Sequence, residues 1–313
     1  MSECLAESEA PVRELESALT RAKELLAGRR FDEGMDLLYA SLGDCRKSLD
    51  QASWFRCCEN VRSNQSLMEV LLESPFTNRA FNKPRGYAGD AVLMDHIYEP
   101  VRTGASGISD IGRSILSWEY DAPGCKSVRA RRQIIAQAID YVSQRVERPN
   151  VLAVACGHLR EAELSTSIQS ARFGTFTAID SDPESIEEVE RCYQRFGIRA
   201  ETFSVKGLIA RRKDFEKCDL VYASGLYDYL NDRTARLLTS VLVSMLRPGG
   251  RLLVGNFAPE MRDIGYMEGI MDWRLIYRSN VRMAALVPTQ RGVSARTWRD
   301  PYANIVFLDV SRS

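Results

Sequence analysis

Two residues carry the most specific chemistry in this sequence, a glycine and an aspartate that each close an apolar run. The first run, residues 151–155, breaks at Cys156-Gly157. A glycine at the carboxyl end of the leading strand of an open α/β sheet lets a ligand approach the backbone. About twenty residues on, a second run ends Ala178-Ile179-Asp180-Ser181-Asp182-Pro183, which sets a carboxylate where the hydroxyls of a ribose would lie. Ser181 and Asp182 before Pro183 suffice to cap the helix that follows, so Asp180 is left for a ligand. A dinucleotide would call for G-x-G-x-x-G, three glycines that admit a pyrophosphate to a helix N-terminus. Only Gly157 is present, and a cofactor without phosphate needs only one close approach. Residues 219–230 then read as a strand breaking into a polar, aromatic loop with Ser224, Tyr227 and Tyr229, a second wall for the same cleft.

The elements that must position these residues follow from periodicity. From residue 150 onward, short apolar runs at 151–155, 176–179, 202–205, 220–223 and 251–257 alternate with helical stretches, the pattern of a parallel sheet covered on both faces. Residues 304–310 alternate more clearly and are expected to pair antiparallel at the sheet's end. Before this half, apolar residues from 11 to 72 recur at helical spacing, predicting three or four helices and no strand. Residues 74–124 are rich in Gly and Pro and read as a connecting, mobile segment, and a helix over 126–146 leads into the sheet. The expected division is a helical region over 1–124 and an α/β domain over 125–313.

Composition narrows the function classes. Lys and Arg together number 42, as do Asp and Glu, so no strong field draws a polyanion and nucleic acid is not the expected partner. The eight cysteines form no C-x-x-C pair and none sits near a histidine at metal-ligand spacing, which predicts no metal centre and a reducing cytoplasm. The acidic opening lacks the apolar core of a signal peptide, and no apolar run of about 18 residues occurs, so neither export nor membrane insertion is expected.

Taken in order, the glycine turn, Asp180, the aromatic loop and the Leu246-Arg-Pro-Gly-Gly-Arg-Leu-Leu253 turn make residues 150–256 similar to class I methyltransferases that use S-adenosylmethionine (SAM). The resemblance implies a Rossmann-like sheet, mostly parallel with its last strand antiparallel, under an N-terminal helical lid. It further implies that Ala155, Cys156 and Gly157 lie along the methionine part of SAM, that Asp180, with Ser181 beside it, holds the ribose, and that Val205 and Lys206 border the adenine. In the helical half, Lys83-Pro-Arg-Gly-Tyr-Ala-Gly-Asp90 and the later Trp273-Arg-Leu-Ile-Tyr-Arg278 resemble a bacterial subgroup connected with 3-hydroxypalmitate methyl ester synthesis. As part of a lid, Arg85 would pair with the SAM carboxylate, Asp90 would orient Arg85 or the amine, and Tyr87 would face the sulfonium. The first loop departs from the superfamily's glycine-rich pattern. Its Arg160 competes with Arg85 for the carboxylate, and His158 reads either as a proton acceptor or, more simply, as an exposed residue at a helix start.

Methyl transfer needs alignment of an acceptor with an already activated methyl group, not a nucleophilic triad. A carboxylate acceptor needs no base, which suits a chain with only two histidines. On this reading Tyr227, Trp273, Tyr277 and Arg278 form the pocket of a small-molecule acid, in bacterial secondary or signalling metabolism. A second reading keeps SAM and changes the reaction. With Tyr87, Ser224 and Tyr229 shaping a dry site, the SAM amine would attack its own γ-carbon, giving azetidine-2-carboxylate and methylthioadenosine, as in synthases that resemble this architecture. A third reading is a non-catalytic SAM-binding regulator whose helices dock a partner; on any of the three, the helical region would either close over the site or pair with a second copy in a homodimer.

Overall fold

The computed structural model describes residues 2–99 and 107–313, with side chains from residue 10 onward. The chain forms two compact units, Met1–Lys126 with Met261–Arg274, and Ser127–Glu260 with Leu275–Ser313. The short return of Met261–Arg274 to the first unit gives no signal in the sequence. No described helix is long and apolar enough to cross a membrane.

The second unit is built on seven strands: β1 (Val151–Val154), β2 (Phe176–Asp180), β3 (Ile198–Thr202), β4 (Cys218–Ala223), β5 (Leu246–Phe257), β6 (Val293–Arg299) and β7 (Ile305–Arg312). Their order is β3-β2-β1-β4-β5-β7-β6. Only β7 runs antiparallel to its neighbours β5 and β6, the mostly parallel Rossmann-like sheet expected. Every residue of β1 and β4 is buried, as central parallel strands with both faces covered must be. Helix Asp232–Ser244 shows how the covering layer is specified. Asn231 caps it by accepting the Thr234 N–H at 2.9 Å, and Ala235, Leu238 and Leu242 fall on one buried face against the sheet.

Three strand expectations need correction. Strand β3 ends at Thr202, and Val205 opens helix Val205–Ile209, because the Ser204 side chain accepts from the Gly207 N–H at 3.1 Å and starts a turn there. The strand over 304–310 is not at the sheet's end, since β6 lies outside it. β6 itself was not anticipated: it is an edge strand whose Ser294, Ala295 and Arg296 are exposed, so no apolar alternation marks it.

The first unit is helical, with Ser2–Ala27, Phe31–Ser48, Gln51–Ser63 and Gln65–Leu71 where the periodicity placed helices. The stretch read as a connector contains three more, Pro75–Asn82, Ala91–Tyr98 and Asp110–Tyr120, each opened by a side-chain cap from Ser74, Asp90 or Ser109. The returning segment adds helix Ile264–Gly269, which packs backbone to backbone on Phe31–Ser48. A Cβ at Gly265 would lie 2.6 Å from the Gly43 nitrogen and the Leu42 carbonyl carbon, so only glycine fits. Arg46 and Trp54 both donate to the Glu268 carboxylate, at 2.9 and 2.7 Å, and Arg62 donates to the Glu268 carbonyl at 2.9 Å. Lys83 fastens the far end of the segment through Asp272, at 2.6 Å.

Beneath that helix lies Glu119, 1% exposed, accepting hydrogen bonds from Ser74, Thr77 and, at 3.2 Å, Tyr266. Burial lifts its carboxyl from 4.5 to about 7 despite those donors. The unfolded chain therefore releases this proton at lower pH than the folded one. Its contribution to stability is full below 4.5 and is lost as pH rises through about 7. Glu119→Gln keeps the shape and cannot ionise. In urea unfolding, the stability of the wild type relative to Glu119→Gln is expected to fall by on the order of 3 kcal/mol between about pH 5 and about pH 8. A difference that does not change with pH would show that Glu119 does not titrate there.

Candidate functional site at the carboxyl ends of β1, β2 and β4

Strand order reverses between β1 and β4, since β2 and β3 extend the sheet to one side and β4, β5, β7 and β6 to the other. The crevice at such a switch point, beyond the carboxyl ends of the strands, is where open α/β sheets hold ligands. Ala155, Gly157 and Leu159 all adopt left-handed backbone, at φ 51°, 53° and 52°, which turns the chain sharply away from β1. The turn is tied to β2 at two points. Cys156 donates its N–H to the Ile179 carbonyl at 3.0 Å, and Gly157 donates to Asp180 Oδ2 at 2.8 Å. The other oxygen of Asp180 accepts from Asp182 N–H at 2.9 Å, and its backbone carbonyl accepts from Phe203 at 2.7 Å. Each carboxylate oxygen has room for a further donor. Burial raises the Asp180 carboxyl above the ordinary range, opposed by those N–H groups.

Glu161, four residues past Gly157, is buried and accepts a hydrogen bond from Tyr222 of β4 at 2.7 Å. Burial raises its carboxyl too, while the Tyr222 bond and the charges of Arg132 and Arg131 act the other way. Burial and then the carboxylates of Asp180 and Glu161 drive the Cys156 thiol well above its usual range, which disfavours the nucleophilic thiolate. At the end of β4, Arg131 donates to the Ser224 carbonyl at 3.2 Å and lies 5.8 Å from the centre of the Phe257 ring. Asp228 is fully buried, accepts from the Phe257 N–H at 2.7 Å and has its carboxyl lifted to about 7 by that burial. Among the described residues, no three His, Cys, Asp or Glu are grouped so as to hold a metal.

Several residues chosen from the sequence have other surroundings than expected. Arg278 was to receive an acceptor carboxylate. It is wholly buried, and its N–H groups go to Asp232, Asn256 and the carbonyls of Tyr227 and Leu230, which uses all five donors. The reason is local: the loop after β4 turns the Tyr227 and Leu230 carbonyls toward a guanidinium fork that can collect both, together with the Asn256 side chain of β5. Tyr227 is buried with its hydroxyl 2.9 Å from Thr239 Oγ1 and lines the core. Tyr229 is exposed, Ser224 half-buried and Tyr277 buried, whereas Trp273 belongs to the first unit. Arg160 is buried against Glu188 at 2.7 Å and Tyr193 at 3.4 Å, so binding a ligand carboxylate would come at the expense of these pairs. His158 is buried, not exposed, with Nδ1 3.5 Å from Arg160. Ser181 and Lys206 are exposed, and Val205 is half-buried.

In the first unit, the bidentate partner of Asp90 is Arg79, at 2.8 and 2.7 Å, and Asp90 also caps helix Ala91–Tyr98. Arg85 and Tyr87 are half-buried in the turn between Lys83 and Asp90. Sequence reasoning missed Arg131, Glu161, Tyr222 and Asp228. Arg131 stands in a helix with Arg129 and Arg132, and nothing in the sequence separates it from its neighbours. Glu161 carried a usable signal, an acid within the loop already singled out.

No family model matches the chain, and neither does any curated protein. Among solved structures, it is similar to a possible exported protein from Bordetella parapertussis, at 15% identity over 97% of each chain and a TM-score of 0.57. Looser likenesses include the magnesium protoporphyrin IX methyltransferase of Synechocystis PCC 6803 with bound SAM, 15% identical over 71% of this chain and 96% of that one, TM-score 0.45. Another is the N-methyltransferase NodS from Bradyrhizobium japonicum WM9, 16% identical over 58% and 96%, TM-score 0.41. At these identities the likeness is one of fold.

Proposed function

We propose that this protein binds SAM at the switch point of its second unit and transfers the methyl group to a small-molecule carboxylic acid in the bacterial cytoplasm. The observation that carries this reading is the Gly157–Asp180 contact, a bare backbone N–H and a buried carboxylate meeting where a nucleoside would enter. The remaining lone pairs of Asp180 suit the two hydroxyls of a ribose. Asp180 and Glu161 give the crevice an acidic wall, which favours a ligand bearing sulfonium and ammonium charges over an anionic dinucleotide. Arg131, which donates to the Ser224 carbonyl at the end of β4, suits the carboxylate of the methionine portion.

SAM, when bound, supplies a methyl group on a leaving sulfur that is already cationic. The residues of the crevice then have three tasks: to hold the nucleoside, to keep water out and to leave the acceptor's approach clear. The raised Cys156 thiol and the core-bound Tyr227 are disfavoured as competing nucleophiles. Because Arg278 is fully engaged, the acceptor acid must be held by other groups. Similarity of residues 83–90 to the 3-hydroxypalmitate methyl ester subgroup supports a carboxylic acid as acceptor.

Incubating the purified chain with SAM and a panel of carboxylic acids, with mass-spectrometric detection, should yield S-adenosylhomocysteine and a methyl ester in equal amounts. Methylthioadenosine in their place would move the reaction onto SAM itself, and no turnover at all would remove the transferase reading. Replacing Asp180 with Ala is expected to weaken SAM binding roughly 10- to 100-fold, the worth of hydrogen bonds to a charged group. Equal affinities for wild type and Asp180→Ala would take Asp180 out of the ribose role.

A further inference from the structure

We propose that Cys45 and Cys57 are a redox pair that closes to a reversible disulfide within the helical unit. Their sulfurs lie 3.9 Å apart, Cys45 in the last turn of Phe31–Ser48 and Cys57 in the second turn of Gln51–Ser63. Only Leu49 and Asp50 join the two helices. Asp50 holds that turn rigidly, accepting the Ala52 and Ser53 N–H groups at 2.9 and 3.0 Å. A disulfide requires the sulfurs at roughly 2 Å with the two Cβ atoms near 4 Å. The sulfurs must therefore approach by about 2 Å more, a displacement on the scale of a side-chain rotation.

Both thiols are buried, at 3% and 5% exposure. Burial in apolar surroundings keeps a single thiol inert, but here each sulfur has the other as its polar neighbour. The hydrogen bond between them pulls Cys57 below the usual thiol range and pushes Cys45 up. Cys58, next in sequence, has its thiol pushed up to about 12 by burial. The pair thus has one attacking sulfur and one resolving sulfur.

The oxidant is hydrogen peroxide. The Cys57 thiolate attacks the peroxide oxygen and becomes a sulfenic acid as hydroxide leaves and is protonated to water. Cys45 then displaces the sulfenic hydroxyl as a second water. One peroxide is reduced by two electrons, two thiols are oxidised to one disulfide, and a dithiol reductant reverses the reaction. The bridge would sit where the two helices grip the returning segment, since Arg46 adjoins Cys45 and Trp54 lies one turn before Cys57, and both donate to Glu268. Oxidation therefore stiffens the mount of Met261–Arg274.

The test is to treat the reduced full-length chain with hydrogen peroxide below its unfolding temperature, block remaining thiols, and map the peptides with fragmentation that separates Cys57 from Cys58. The expected product is lighter by the mass of two hydrogens, carries a Cys45–Cys57 bridge, melts at a higher temperature than the reduced chain and reverts with dithiothreitol. Cys58→Ser should retain the bridge, and Cys57→Ser should lose it. A bridge through Cys58, oxygen added to the thiols without bridging, or thiols that all remain open to blocking would each overturn the proposal. The wild-type peptide map decides the matter even if a variant fails to fold.

Discussion

The carboxylate of Asp180 sets the geometry on which the rest of the crevice depends. Three left-handed residues in the loop after β1 turn its amides away from the strand, and such a turn is costly without partners for those amides. Asp180 receives the Gly157 amide on one oxygen and the Asp182 amide on the other, so one side chain fixes both the glycine turn and the start of the next helix. Being buried, it makes these bonds in a low-dielectric setting where they are strong. The group best placed to meet a ligand is thus also the group that shapes the ligand's bed. An acid there is required twice over, once by the backbone and once by the proposed ribose.

Buried charge is divided between two tasks in the second unit. Arg278 is scaffold, its saturated guanidinium tying the loop after β4 and the half-buried Asp232 to Asn256 of β5. Glu161, Asp228 and Arg131 are also buried, yet their partners stand at the strand ends where the switch point opens. Desolvation holds the two acids above their usual range, and such perturbed groups in a crevice are what a binding site built for charge requires. The first unit handles buried charge differently. Glu119 is satisfied by hydroxyls and Glu268 by Arg46 and Trp54, and both serve to fix a helix borrowed from a distant stretch of chain.

Much of this was legible in the sequence where local rules and tertiary demands agree. Central strands β1, β2 and β4 are nearly continuous apolar runs because both faces are covered, and the glycine turn and Asp180 follow from where such strands end. What escaped is non-local or polar. β6 is an exposed edge whose residues need no apolar pattern, and Ser204 started a helix where a short apolar run suggested a strand. Arg278 looks the same in sequence whether it collects carbonyls or awaits an acid, and only its burial decides. The return of Met261–Arg274 to the helical unit depends on Gly265 meeting Leu42 and Gly43, a contact between residues more than two hundred positions apart that no window of sequence contains.

The most direct test of the central claim is a crystal structure of the full-length protein grown with S-adenosylhomocysteine. The account requires the ribose hydroxyls against the Asp180 carboxylate, with the Gly157 backbone at the methionine portion. Density for the ligand elsewhere, or none at concentrations that saturate known SAM enzymes, would contradict it.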